Sequence, residues 1–261
     1  MAPGRYFDEG KHITITASRQ LASRCLELTA LFETGQSFPD CYGRIGGNFD
    51  GQGLSLGCLQ WNFGQGTLQP LLSAMLREQR QTSEQVLGSH RCQLLATAMT
   101  LPRAEQMAWV IGELDQPSWR NSLYEWATTP PFRALQIKAA QPQFDWAIKQ
   151  CRQHGLISER AVALLFDIRV QNGSVQSSIW NRIDVVDDLV IAPPDPLVPE
   201  IIRLLLLATF RAEAAHPKWR EDVRARKLCI AKGQGRVHGR DIDLAREFGI
   251  RLAPASDLAD T

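Results

Sequence analysis

Residues 31–66 read LFETGQSFPDCYGRIGGNFDGQGLSLGCLQWNFGQG, and a change of texture inside this stretch decides the fold class. Up to Glu33 the apolar residues Leu21, Cys25, Leu28 and Phe32 recur at three- and four-residue steps, the spacing of one helix face. Thr34-Gly35 supplies the stop, because glycine accepts the left-handed conformation that closes a helix. From Gln36 to Gly66 the chain is dense in glycine, with short apolar pieces at Phe49, Leu54, Leu56 and Leu59 to Trp61. That texture predicts tight turns and a small β-sheet. After Thr67 helical spacing returns, with helices expected over 68–78, 83–99, 103–114, 119–126, 132–139, 143–154, 158–171, 198–215, 218–231 and 241–248. The prediction is a mostly helical α+β protein with one small antiparallel sheet after the helix that ends at Glu33.

The same stretch carries the chemistry. Glu33 stands at the C-terminal end of an apolar helix, and Asp50 follows in the glycine turn Asp50-Gly51-Gln52-Gly53. Cleavage of a glycosidic bond needs two carboxyl groups with opposite tasks, one protonated to donate to the leaving oxygen and one ionised to activate water. Apolar neighbours and the negative end of the helix dipole favour the neutral form at Glu33, as a general acid requires. Glycines around Asp50 leave backbone N–H groups free to solvate a carboxylate, so Asp50 is expected to stay ionised, with the Ser55 hydroxyl as a second ligand for water.

Glu33 followed by Asp50-Gly51-Gln52-Gly53-Leu54-Ser55-Leu56-Gly57 resembles the chitosanase branch of the lysozyme-like superfamily. That branch has a helix-terminal Glu and then an Asp-Gly-x-Gly-aromatic-Thr-x-Gly hairpin. The resemblance implies a lysozyme-like two-lobed fold, with Glu33 as acid, Asp50 as the base that activates water, and Ser55 in place of the water-positioning threonine. Leu54 departs from the aromatic residue and Ser55 from the threonine. The helix from Ala161 to Gly173 is similar to the family's core helix, which carries an Asp near its middle. The segment FDGQGLSLGCLQWNFGQGTLQPLL, with the late pieces Gly233 to Gly239 and Asp243 to Gly249, also resembles bacterial and phage-associated peptidoglycan hydrolases. Together these likenesses span about residues 21–250, with the specific part between Glu33 and Leu72. They imply a single catalytic domain over 17–252 flanked by tails at 1–16 and 253–261.

Gln60, Trp61 and Asn62 directly follow the hairpin and offer amide groups beside an aromatic face, which suits binding of an N-acetylated sugar; Trp61 reads equally well as core. Asp167 and Gln171 share one helix face four residues apart. An Asp flanked by Phe166 and Ile168 must find partners if buried, so the pair is expected in a polar network supporting the cleft.

Other residues exclude competing chemistries. The histidines stand isolated, with no nucleophile at a consistent spacing, so no catalytic triad is read. The six cysteines are scattered without a C-x-x-C pair, so no metal site is expected, and packed free thiols are the expected state, Cys58 included. Gly233 to Gly239 lacks the G-K-[S/T] of a phosphate loop and reads as a turn between helices. With 29 basic and 28 acidic residues, no global charge points to nucleic acid. The apolar run from Ile201 to Phe210 is about half a membrane span of roughly 20 residues and reads as a core helix. The four prolines between Ala192 and Pro199 read as a stiff connection.

The sequence therefore points to a cofactor-independent muramidase-type glycoside hydrolase, cutting the β-1,4-linked aminosugar backbone of peptidoglycan. A chitosanase and a noncatalytic glycan-binding or toxin-accessory module are the alternatives. The opening residues lack a secretory signal pattern. The corresponding expectation is synthesis in the cytoplasm and action on the periplasmic cell wall after leaderless export or phage-type release, with a secretion apparatus or an immunity protein as further partners.

Overall fold

A computed structural model of the chain describes residues 9–48, 51, 53–187 and 195–258, the first eleven of these as backbone only. Along the chain, α1 (Glu9–Thr34) leads through a 3-10 turn (Asp40–Gly43) into β1 (Ile45–Gly46), β2 (Ser55–Leu56) and β3 (Trp61–Asn62). There follow α2 (Gln69–Glu78), α3 (Arg80–Leu87), α4 (Ser89–Ala98), α5 (Arg103–Trp109), which ends in a π-helical turn (Val110–Leu114), α6 (Pro117–Ala127) and α7 (Pro130–Gln153). The remainder is α8 (Glu159–Asn172), α9 (Ser177–Asp187), α10 (Leu197–Glu213), α11 (Arg220–Lys232), β4 (Gln234–Val237), β5 (Arg240–Asp243) and α12 (Leu244–Phe248). The protein is mostly helical with small antiparallel sheets, the fold class read from the sequence.

The chain divides into two compact units, residues 29–141 and residues 1–28 with 142–261. In the 29–141 unit, β1, β2 and β3 form an antiparallel sheet in that order. Gly46 lies opposite Ser55, and Ser55 opposite Asn62, so the three form one row across the sheet. In the same unit α3 packs against both α4 and α6. There Trp126 is fully buried and donates its indole N–H to the Ser83 hydroxyl at 3.2 Å. The continuous helix expected over 83–99 is broken at Gly88, whose φ of +80° is a conformation an L side chain resists.

In the other unit α8 is buried from Ala161 through Ile168, on all its faces, as a helix surrounded by others must be. Its N-terminus is closed twice: the Ser158 hydroxyl accepts from the Ala161 N–H, and the buried Glu200 carboxylate accepts the N–H groups of Ile157 and Ser158 at 2.7 and 2.9 Å. Helix α10 packs against α9 and α11 and includes the apolar run from Ile201 to Phe210, with Leu204, Leu207 and Ala208 buried. Among the described residues no helix is long and apolar enough to cross a membrane.

Three further elements depart from the sequence reading. The helices expected over 132–139 and 143–154 are one helix, α7, which runs through Pro142. Phe132, Gln136, Ala140, Phe144, Ala147 and Cys151 form a single buried stripe at helical spacing, and that burial outweighs the hydrogen bond the proline removes. Helix α9 is a new element. The piece at 233–239 and the start of the last expected helix form a β-hairpin, β4 paired with β5, turning at His238-Gly239 with φ of +50° and +80°. Two left-handed residues in succession give the tight turn that matches strand twist, a signal usually carried by Asn-Gly.

Candidate active site

Glu33 occupies the last turn of α1, half-buried, after the buried Leu31 and Phe32. The helix end is fixed around it. The Thr34 hydroxyl donates to the Ala30 carbonyl at 2.6 Å and accepts from the Gln36 N–H at 3.0 Å, while the Gly35 N–H closes on the Leu31 carbonyl at 2.8 Å with φ of +71°. A carboxylate is thereby held at a helix terminus on rigid backbone, in the same unit as the three-stranded sheet.

Asp50 lies outside the described residues. Of the described residues on either side, the Asn48 side-chain carbonyl accepts from the Gly53 N–H at 2.6 Å, and the Asn48 backbone carbonyl accepts from the Gly51 N–H at 3.4 Å. Gly53, with φ of +78°, lies against Met107 and Val110, where a Cβ would come within 2.9 Å of the methionine methyl. Arg120, paired with Asp115, donates to the Ile45 carbonyl of β1 at 3.2 Å.

The sheet brings together Ser55, Gln60, Trp61 and Asn62. Asn62 is buried; its Nδ2 donates to Ser55 Oγ at 2.9 Å and its Oδ1 accepts from the Gln65 N–H at 2.9 Å. Gln60 donates its amide to the carbonyls of Arg44 and Gly57 at 3.1 and 2.9 Å, and Trp61 is buried. These amides thus frame the hairpin. A residue not singled out from the sequence, Gln136 of α7, staples the hairpin from beneath. Its Oε1 accepts from the Cys58 N–H at 3.0 Å, and its Nε2 donates to the Tyr42 and Ala127 carbonyls at 3.1 and 3.2 Å. Gly57, at φ of +89°, leaves room for it, since a Cβ there would lie 2.4 Å from Gln136 Oε1. A polar residue on the buried stripe of α7 was the only sequence signal of this role.

Asp167 and Gln171 belong to the other unit and share one network there. Asp167 is wholly buried, bonded by Arg226 at 2.6 Å and by the Lys227 ammonium, which also donates to Gln171 Oε1 at 2.8 Å. Gln171 Nε2 in turn donates to Asp222 at 2.8 Å, and Asp222 meets the exposed His238 ring at 2.5 Å. Burial pushes the Asp167 carboxyl up, but the two adjacent cations outweigh it and hold the group below the ordinary aspartate range. Arg226 and Lys227 were not singled out from the sequence; the demand of a buried Asp for counter-charges was the one signal of them.

None of the six cysteines forms a disulfide, and the Cys58 thiol beside the hairpin is fully buried. Burial, with Cys41 nearby, raises it well above the ordinary thiol range, which leaves it a packing group. Among the described residues no group of His, Cys, Asp and Glu side chains is arranged to hold a metal ion.

No protein-family model and no curated protein matches the sequence. Solved structures do. Native chitosanase from Bacillus subtilis MY002 matches with a TM-score of 0.56 and 16% identity, over 86% of this chain and 99% of that one. A Glu-to-Ala mutant chitosanase from the same source, complexed with 6 GlcN, matches with a TM-score of 0.57 and 17% identity, over 87% and 96%. The chain therefore shares the mostly helical α+β fold of these proteins.

Proposed function

We propose that this protein is a glycoside hydrolase cleaving the β-1,4-linked aminosugar backbone of peptidoglycan. The observation that carries the reading is a carboxylate fixed in the last turn of α1, followed within the same unit by a small sheet presenting Ser55, in a chain that shares the fold of chitosanases. On this reading Glu33 delivers its proton to the glycosidic oxygen as the bond to the anomeric carbon breaks. Asp50 takes a proton from a water that attacks that carbon from the opposite face, and Ser55 orients the water. A water between acid and base requires carboxyls about 6.5–9.5 Å apart and produces inversion at the anomeric carbon.

Clearing of purified cell walls by the parent and by Glu33→Gln tests the assignment. Loss of a general acid lowers the rate on the order of 10²- to 10⁴-fold; equal clearing by the two forms would refute it. Deacetylated chitosan is the second substrate to assay, because a structural neighbour is a chitosanase complexed with 6 GlcN. Leu54 and Ser55, where the chitosanase pattern has an aromatic residue and Thr, favour the wall polymer. Faster turnover of chitosan than of walls would reverse that preference. On the same reading the site of action is the periplasmic wall, and a protein that fails to lyse cells when directed to the periplasm would contradict it.

A further inference from the structure

The hydrogen bonds around Asn62 determine which way the Ser55 hydroxyl points. A backbone N–H can only donate, so the Asn62 atom facing the Gln65 N–H at 2.9 Å is the carbonyl oxygen. The other end of the amide, facing Ser55 at 2.9 Å, is then the NH₂ group, and Ser55 Oγ is the acceptor. The amide cannot flip to offer its oxygen to Ser55 without setting its NH₂ against the Gln65 donor. Nor can it swing away. Asn62 is buried, its backbone N–H donates to Thr67 Oγ1 at 2.8 Å, and its carbonyl accepts from the N–H groups of Thr67 and Leu68 at 3.1 and 3.2 Å. Ser55 lies directly across the strand pair from Asn62, and on its other side stands Gly46, which presents no side chain.

A hydroxyl has two lone pairs and one proton. With one lone pair filled by Asn62, Ser55 keeps a proton to donate and a single lone pair to accept. Among the described residues nothing accepts that proton. We propose that Asn62 is a positioning residue that fixes the polarity of the Ser55 hydroxyl, making Ser55 a directed donor towards the reacting water. This inference rests on the hydrolase reading above. It gives Asn62 a role through Ser55, distinct from the sugar contact expected of it from sequence.

The test is Asn62→Asp, a nearly isosteric change that keeps the oxygen facing Gln65. An ionised carboxyl there accepts the Ser55 proton and reverses the hydroxyl, and kcat falls on the order of 10- to 100-fold with KM little changed. Protonation of the introduced carboxyl restores a donor to Ser55. The ratio of variant to parent activity therefore rises as the pH is lowered, which a merely structural defect would not produce. In a Ser55→Ala background the same substitution has no further effect on kcat. A ratio independent of pH, or an undiminished loss in the Ser55→Ala background, would overturn the proposal.

A second measurement leaves Asn62 intact and does not depend on the hydrolase reading. One Asn62 side-chain amide proton in the parent should be protected from exchange and lose that protection in Ser55→Ala. Identical amide behaviour in the two proteins would refute the hydrogen bond itself. Failure of the hydrolase reading is recognised separately, by unchanged activity in Glu33→Gln.

Discussion

Glu33 and Asp167 are both carboxylates on apolar helices, and their surroundings are opposites. Glu33 ends its helix, half-exposed, with a glycine two residues on and a glycine-dense sheet beyond. Asp167 lies within α8 with no exposure, and its oxygens are taken up by Arg226 and Lys227. A buried charge with fixed partners holds elements together, because losing a partner strands the others in a low-dielectric interior. A carboxyl that exchanges a proton with a substrate needs the edge of an element, held from behind by backbone bonds such as those of Thr34 and Gly35. The two regions should therefore separate under mutation, one in stability and the other in turnover.

The largest effect on stability is expected from Asp167→Ala, which leaves Arg226 and Lys227 without their buried counter-charge. A loss of about 3–5 kcal/mol in denaturant unfolding is predicted, while Glu33→Gln stays within about 0.5 kcal/mol of the parent. Comparable losses from both would erase the contrast. Within the sheet region, Gly57→Ala combines a positive φ with a clash at Gln136, at a cost of about 2–4 kcal/mol. Pairing it with Gln136→Ala should recover part of the loss, and strictly additive losses would deny the contact.

Acid sharpens the comparison further. Because the folded Asp167 carboxyl is depressed below its unfolded value, its contribution is complete above the ordinary aspartate value of about 3.9 and is lost as pH falls through the folded value. Unfolding free energy should be level in this respect above about pH 5 and decline below about pH 4, with a shallower decline in Asp167→Asn. The smallest effect is expected where the network reaches solvent. His238→Asn removes a half-exposed pair with Asp222 but suits the left-handed turn, so stability should change by less than about 1 kcal/mol.

What the sequence revealed and concealed follows the range of the forces involved. The end of α1, the glycine hairpin and most helices rest on local spacing and stop signals, and they were legible. Pro142 marked a helix end by local rule, yet the buried stripe from Phe132 to Cys151 carries α7 through it, a tertiary effect that no window of neighbours contains. The partners of Asp167 stand about 60 positions away on α11, so the need for counter-charges was readable but their identity was not. Asn62 was noticed for its amide. Its bonds to Ser55 and Gln65 depend on strand register, which short strands of two residues do not declare.

Glu33 is proposed above as the proton donor of a wall-cleaving glycosidase. Mass analysis of the fragments released from purified peptidoglycan, with the parent and Glu33→Gln run side by side, tests it most directly. Disaccharide-containing muropeptides with newly formed reducing ends are expected from the parent and almost none from the variant. Fragments cut only in their peptides, or equal glycan cleavage by both proteins, would contradict it.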